Sequence, residues 1–264
     1  MSNLAVIDKG AATAIHPTPL LFVHGAFHGA WCWDAHFLDF FADRGYRAVA
    51  VNLRGHGSSP LDRPLNDCSV GDYVGDVKAV ADSLPEPPIV IGHSMGGFVV
   101  QKYLATHPAP AGVLVASAPP RGLAKAMVRV AWRNARYSGR PSALRRPLLF
   151  FSNPAVSRST FYCPDTPEQI VADTATALRD ESTTVLYRDL VYRDLAQPER
   201  VSVPMLVLGA ALDGFFTTGE VRATARAYRT EAQLFPGMGH NMMLEPGWQR
   251  VAERIDAWLG TIEV

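Results

Sequence analysis

Short apolar runs alternate with amphipathic stretches through the first half of this chain. Leu20–Val23 (LLFV), 46–53 (YRAVAVNL), 89–91 (IVI) and 113–115 (VLV) are each closed by Gly or Pro. Runs of this length with apolar residues at successive positions suit strands buried on both faces, as in a parallel sheet. Helical periodicity fills the intervals. Between 33 and 43, Trp33, Phe37, Phe40 and Phe41 fall on one face, and between 69 and 84 so do Val70, Tyr73, Val74, Val77 and Val80. A third helix, 95–106, follows the run 89–91 almost at once. From about 120 to 198 the pattern breaks into basic, aromatic and Pro-containing helical pieces. It resumes with a strand at 205–208, a helix at 218–228, a strand at Ala232–Phe235 and a helix at Trp248–Leu259. The alternation predicts an α/β fold with a mostly parallel central sheet flanked by helices. The expected organisation is a core formed by 1–119 and 199–264, with a mainly helical cap at 120–198.

Composition narrows the class. Of 264 residues, 48% are hydrophobic and 19% charged, and 25 basic side chains balance 25 acidic ones. The chain has apolar content enough for a large core and lacks the basic excess of a nucleic-acid binder. Cys32, Cys68 and Cys163 form no C-x-x-C pair and no disulfide framework, which suits a reducing, cytoplasmic setting. The first ten residues hold no long apolar stretch, and 11–33 is interrupted by His, Pro and Gly. The expectation is a soluble protein without stable membrane insertion.

The chemistry centres on Gly92-His93-Ser94-Met95-Gly96-Gly97. This is G-x-S-x-G, with a strand pattern before it and a helix pattern after it, the setting of a nucleophile elbow. The pentapeptide alone is a weak signal, and its context makes it specific. Ser94 needs a base to become nucleophilic. Among eight histidines, His240 follows the last expected strand, at the sheet edge where α/β proteins bind ligands. Asp213 follows the strand 205–208 at the same edge and is the candidate acid that orients His240. Asp189 and Asp194 are rivals by type but follow no strand. Backbone N–H groups of Met95 and Ala26 are the candidate oxyanion hole, Ala26 coming from the loop after Leu20–Val23. His24 in that loop reads as a brace. Phe27, Phe215 and Met242 flank these loops and are the candidate substrate-binding residues, implying an apolar acyl or aromatic substrate. No metal-ligand cluster is evident.

Taken together, these residues resemble the α/β-hydrolase superfamily. The resemblance rests on His24-Gly25, Arg54-Gly55-His56-Gly57-Ser58, Gly92 to Gly97, Asp213 and Gly239-His240. The loop HGAFHGAWCW, 24–33, is similar to that of methyl-ester esterases and hydroxynitrile lyases, whereas R-G-H-G-S is similar to bacterial esterases and monoacylglycerol-lipase-type enzymes. The resemblance implies a Ser94–Asp213–His240 triad, an oxyanion hole at Ala26 and Met95, no cofactor, and a cap over the pocket. It makes a small-molecule carboxylic ester the expected substrate. C–C hydrolase, amidase or lyase chemistry and a non-enzymatic binding role are the alternatives. The absence of lysine from 231–248 argues against a lyase, and the intact Ser, Asp and His argue against a pure binder.

One charge pattern stands apart. Residues 121–146 carry Arg121, Lys125, Arg129, Arg133, Arg136, Arg140, Arg145 and Arg146 and no acid. The spacing predicts an amphipathic basic helix with Leu123, Met127, Val130 and Ala131 on another face. The stripe would pair with the acidic stretch 165–194, stay solvated, or lie over the pocket mouth and attract anionic substrates or lipid surfaces.

Overall fold

A computed structural model describes residues 4–138 and 146–262. The chain begins β1 (Val6–Lys9), β2 (Leu20–Val23), α1 (Trp31–Asp34), α2 (Phe37–Ala42), β3 (Ala48–Val51), α3 (Val70–Ala81), β4 (Ile89–His93), α4 (Met95–Leu104) and β5 (Gly112–Val115). Helices α5 (Ala124–Arg133), α6 (Ala135–Ser138), α7 (Pro147–Phe151), α8 (Pro154–Phe161) and α9 (Glu168–Ala177) follow, with a wide π-helical stretch at Val185–Arg193. The chain then returns to β6 (Met205–Ala210), α10 (Thr218–Ala227), β7 (Ala232–Phe235) and α11 (Trp248–Leu259).

Among the described residues these strands form one seven-stranded sheet in the order β1-β3-β2-β4-β5-β6-β7. Only the β1–β3 pairing is antiparallel. Strand order reverses around β2: the chain moves outward to β3, then returns to β4 on the other side. Val23 is registered against Gly92, so the loops after β2 and β4 leave the sheet side by side. This is the switch point at which open α/β sheets place ligands.

The core lies on both faces of the sheet. Leu21, Val23, Val49, Val51, Val90, Leu114 and Val207 point to one face, where they join residues of α3 and α4. Leu20, Phe22, Ala48, Ala50, Ile89, Ile91, Val113 and Leu206 point to the other, with α2 and α11. The period-two alternation is hidden in the sequence because both faces are apolar.

Local chemistry sets the element ends. Ser69 and Asp72 form a capping box at the start of α3, and Thr217 and Glu220 do the same for α10. The helix expected over 33–43 is two helices, because His36 leaves helical geometry with φ −154°. β1 was not evident in the sequence. It has four residues, two of them charged, and is only half covered at the sheet edge. No helix among the described residues is long and apolar enough to cross a membrane.

Candidate active site

β4 ends at His93, and α4 begins at Met95, which leaves Ser94 alone to make the turn. Its backbone takes φ +52° and ψ −118°, a conformation that side chains rarely adopt. Small neighbours make this turn possible. A side chain on Gly92 would run into the Gly96 backbone, and one on Gly96 into the carbonyls of Val23 and His24. The strand and helix are thereby pressed together, with Ser94 at the edge between them.

Three loops bring the expected groups together. His240 Nε2 lies 2.9 Å from Ser94 Oγ, and His240 Nδ1 lies 2.9 Å from Asp213 Oδ2. The other carboxylate oxygen, Oδ1, accepts the N–H groups of Phe215 at 2.6 Å and Phe216 at 2.9 Å. One oxygen of Asp213 is thus fixed by its own turn, which aims the second at the imidazole. The rings of Phe161, Phe215 and Phe216 surround His240 at 5.4 to 5.9 Å, and the residue is 1% exposed. In this dry setting a serine proton can pass to the imidazole, and the resulting imidazolium faces a carboxylate. The rival acids are engaged elsewhere: Asp189 accepts the Val70 N–H and pairs with Arg188, and Asp194 pairs with Lys102.

Two histidines that the sequence left without a site role stand next to the triad. His93 Nε2 donates to the His240 carbonyl at 3.0 Å, tying the serine turn to the histidine loop. Burial drives its proton affinity well below the ordinary histidine value, and neighbouring His240 and His28 act in the same direction. His28 donates from Nδ1 to the Ala26 carbonyl at 2.8 Å, and its Nε2 meets the Asn241 amide at 3.3 Å. Burial lowers its pKa to about 4. Both are neutral hydrogen-bonding groups at neutral pH. Position in sequence gives little sign of this, since a histidine's partner is set by the tertiary fold. His24 acts as the brace its position suggested, donating to the Gly25 carbonyl at 2.8 Å and accepting the Leu53 N–H at 3.2 Å.

Ser94 opens onto a narrow pocket lined by Ala26, Phe27, His28, His93, Met95, Leu123, Met127, Phe151, Phe161, Leu186, Phe215 and His240. Its free volume is ≈ 30 Å³, room for one or two waters. Phe27 and Phe215 line the pocket as expected. Met242 does not. It is fully buried beside Met238 and Met243 in the core on the opposite face of the sheet. A turn after His240 carries it there: the Asn241 N–H bonds to the Phe161 carbonyl, and Leu244 and Glu245 N–H groups return to the Asn241 carbonyl. Phe151 takes the place of Met242. Its ring lies 5.2 Å from Phe27, 5.5 Å from Phe161 and 6.0 Å from Phe215.

The segment between β5 and β6 is stitched to the core by polar contacts. Arg179 N–H donates to the Phe27 carbonyl at 2.9 Å, where Phe27 holds φ +66°. Glu181 receives the Tyr73 hydroxyl at 2.6 Å and pairs with His56 at 3.2 Å, all three side chains buried. This gives the Arg54-Gly55-His56-Gly57 segment a structural role. Glu245, also buried, accepts N–H groups of Gly239 at 2.6 Å and Cys163 at 2.5 Å, linking the turn before His240 to the segment above it. Desolvation pushes its carboxyl above the usual range.

The basic stripe does not follow its expected course. Ala126, not Ala131, joins Leu123, Met127 and Val130 on the buried face of α5, and Ala131 is exposed. Arg129 pairs with Glu220 of α10, and Arg133 donates to the carbonyls of Ser159 and Gly214. Arg140 and Arg145 lie outside the described residues.

A serine at a strand-turn-helix junction, a histidine between it and a carboxylate, and a sheet with one antiparallel edge match the α/β-hydrolase architecture. The chain matches the model of the alpha/beta hydrolase family over residues 20–254 and belongs to that family. Among individual proteins it is similar to a non-heme chloroperoxidase of Burkholderia pyrrocinia, 39% identical over 108 residues, 39% of this chain and 38% of that one. It is similar to Methylesterase 18 of Arabidopsis thaliana, 38% identical over 79 residues, 29% of each chain. A bifunctional esterase/perhydrolase of Acinetobacter calcoaceticus is 36% identical over 111 residues, 39% of this chain and 38% of its own. The chain spans less than two fifths of the length of these relatives. Among solved structures, a thermophilic esterase from Thermogutta terrifontis superposes with a TM-score of 0.77 at 21% identity, covering 99% of this chain and 94% of that one. At that identity the likeness shows the fold.

Proposed function

We propose that the protein is a serine esterase that hydrolyses carboxylic esters with a short apolar acyl part. Ser94 attacks the acyl carbon while His240 takes its proton, and the imidazolium then protonates the departing alcohol. Asp213 fixes the tautomer and steadies the charge. Water enters by the same base and releases the acid. Ala26 and Met95 supply the backbone N–H groups for the oxyanion. Both line the pocket beside Ser94, and Gly25 packs so closely that a side chain there would press on the Ser94 Cβ. The segment 120–198 serves as the cap: Leu123, Met127, Phe151, Phe161 and Leu186 come from it and roof the pocket.

The observation that carries this reading is the unbroken relay from Asp213 through His240 to Ser94, each step 2.9 Å. The apolar lining and the small free volume favour a compact acyl group over a long chain. The methylesterase and the bifunctional esterase/perhydrolase among the relatives agree with ester chemistry. The test is labelling by a fluorophosphonate together with turnover of a p-nitrophenyl ester series, in wild type and Ser94→Ala. The reading expects label and turnover in the wild type and neither in the variant. Amide or C–C cleavage without ester turnover would contradict it.

A further inference from the structure

The turn that carries Asp213 is held from two sides. On the inner side, Asp213 Oδ1 takes the N–H groups of Phe215 and Phe216, leaving Oδ2 for His240. On the outer side, the carbonyls of the same turn are taken by α5. Arg133 Nη1 donates to Gly214 O at 3.1 Å and to Ser159 O at 3.3 Å. Arg129 Nη2 donates to Phe215 O at 2.5 Å and to Glu220 Oε2 at 2.7 Å. Arginines one helical turn apart thus meet carbonyls of adjacent residues, a match of i,i+4 spacing to the width of the turn. The bonds of Arg129, at 2.5 and 2.7 Å, have the short length of charge-assisted hydrogen bonds. Glu220 is also the capping-box residue of α10, so Arg129 ties α5 to the helix that the turn leads into. Gly214 is wedged against Ser159 and Thr160, where any side chain would collide with backbone.

The same helix forms part of the pocket. Leu123, at its start, and Met127 line it, as does the Phe215 ring, 5.6 Å from the His240 ring. The acids between 165 and 194 that form ion pairs among the described residues take other partners: Arg158 for Glu168, His56 for Glu181, Arg188 for Asp189 and Lys102 for Asp194.

We infer that Arg129 and Arg133 are positioning residues for the acid of the triad, making the alignment of Asp213 on His240 depend on α5 being seated over the pocket. This rests on the esterase reading above. Its consequence is that the cap helix does more than cover the substrate. Filling the pocket presses on Met127 and Phe215, and so on the two partners of the clamp at once. A displaced α5 releases the turn from outside and lets the carboxylate swing.

The test compares wild type, Arg129→Gln/Arg133→Gln, Arg129→Lys/Arg133→Lys, the single Arg133→Gln and, as a control, Lys125→Gln on the same helix. The Gln pair is expected to lower kcat about 10- to 100-fold with KM nearly unchanged, the scale of a small misalignment in a catalytic constellation. The Lys pair should recover part of it, and Lys125→Gln should match wild type. In an Asp213→Asn background the Gln pair should slow fluorophosphonate inactivation no further, because a residue that acts through Asp213 has nothing left to act on. Arg133→Gln, which loses only two carbonyl bonds, carries the test if the pair fails to fold. Wild-type kcat in the Gln variants, a rise in KM alone, or the same further loss on the Asp213→Asn background would overturn the inference. Those outcomes require an active wild type. A wild type inert to both esters and fluorophosphonate would instead remove the esterase reading, and the inference with it.

Discussion

Ser94 keeps its hydroxyl at the rim of the sheet by accepting a left-handed backbone, and the glycines around it exist to let two backbones close on that point. Ser94→Ala removes the nucleophile without disturbing this packing. Turnover of a short p-nitrophenyl ester should fall about 10⁴- to 10⁶-fold while the thermal midpoint holds. Asp213→Asn should cost nearly as much, because the amide can still meet the turn N–H groups yet presents the wrong partner to His240. That Ser94, Asp213 and His240 meet was legible in the sequence because each lies in the loop that follows a strand of the sheet. Met242 misled for the opposite reason. Two residues past His240, its side chain is set by a turn whose direction nothing local announces. The buried histidines carry a pH consequence. His28 falls from 6.5 to about 4 on folding, and His24 and His93 are also lowered. A lowered histidine stabilises the fold above its unfolded value, and that contribution is lost as pH falls through the folded one. For His28 alone the change is worth about 3 kcal/mol. Urea midpoints should therefore fall steadily between pH 6.5 and 4. A flat profile over that window would show that these side chains are protonated in the folded protein.

Elements that repeat the β-then-α alternation were readable to within a few residues, because buried parallel strands announce themselves as unbroken apolar runs. The segment between β5 and β6 was not. Its helices are short, its apolar residues face the pocket as well as the core, and its partners are distant in sequence. The basic stripe shows the difficulty: spacing placed Arg129 and Arg133 on one face of a helix, but only the fold places that face on the turn of Asp213. Glu181→Gln leaves His56 buried and without its carboxylate, which should destabilise the protein by about 1 to 3 kcal/mol in urea unfolding. A loss under 1 kcal/mol would mean that the Tyr73–Glu181–His56 contact does not hold the segment to the core. Phe151→Ala should shift preference toward longer acyl chains, raising kcat/KM for butyrate and hexanoate esters relative to acetate. An unchanged chain-length profile would show that the Phe151 ring does not limit the pocket.

Across the whole molecule, the strand order brings together loops that are far apart in the chain. Reversal at β2 sets the Gly25–Ala26 loop beside Ser94, while β6 and β7 deliver Asp213 and His240 from the other half. With Leu123, Met127, Phe151, Phe161 and Leu186, these loops enclose a space of only ≈ 30 Å³ beside Ser94. On the proposed esterase mechanism, an acyl group passes through Ser94. That step is tested most directly by quenching the protein in acid during turnover of a short p-nitrophenyl ester and reading the mass of the peptide that contains residue 94. An added acyl mass on that peptide is expected in the wild type and not in Ser94→Ala. Ester hydrolysis that persists in Ser94→Ala, or an acyl group found on a different peptide, would contradict the mechanism.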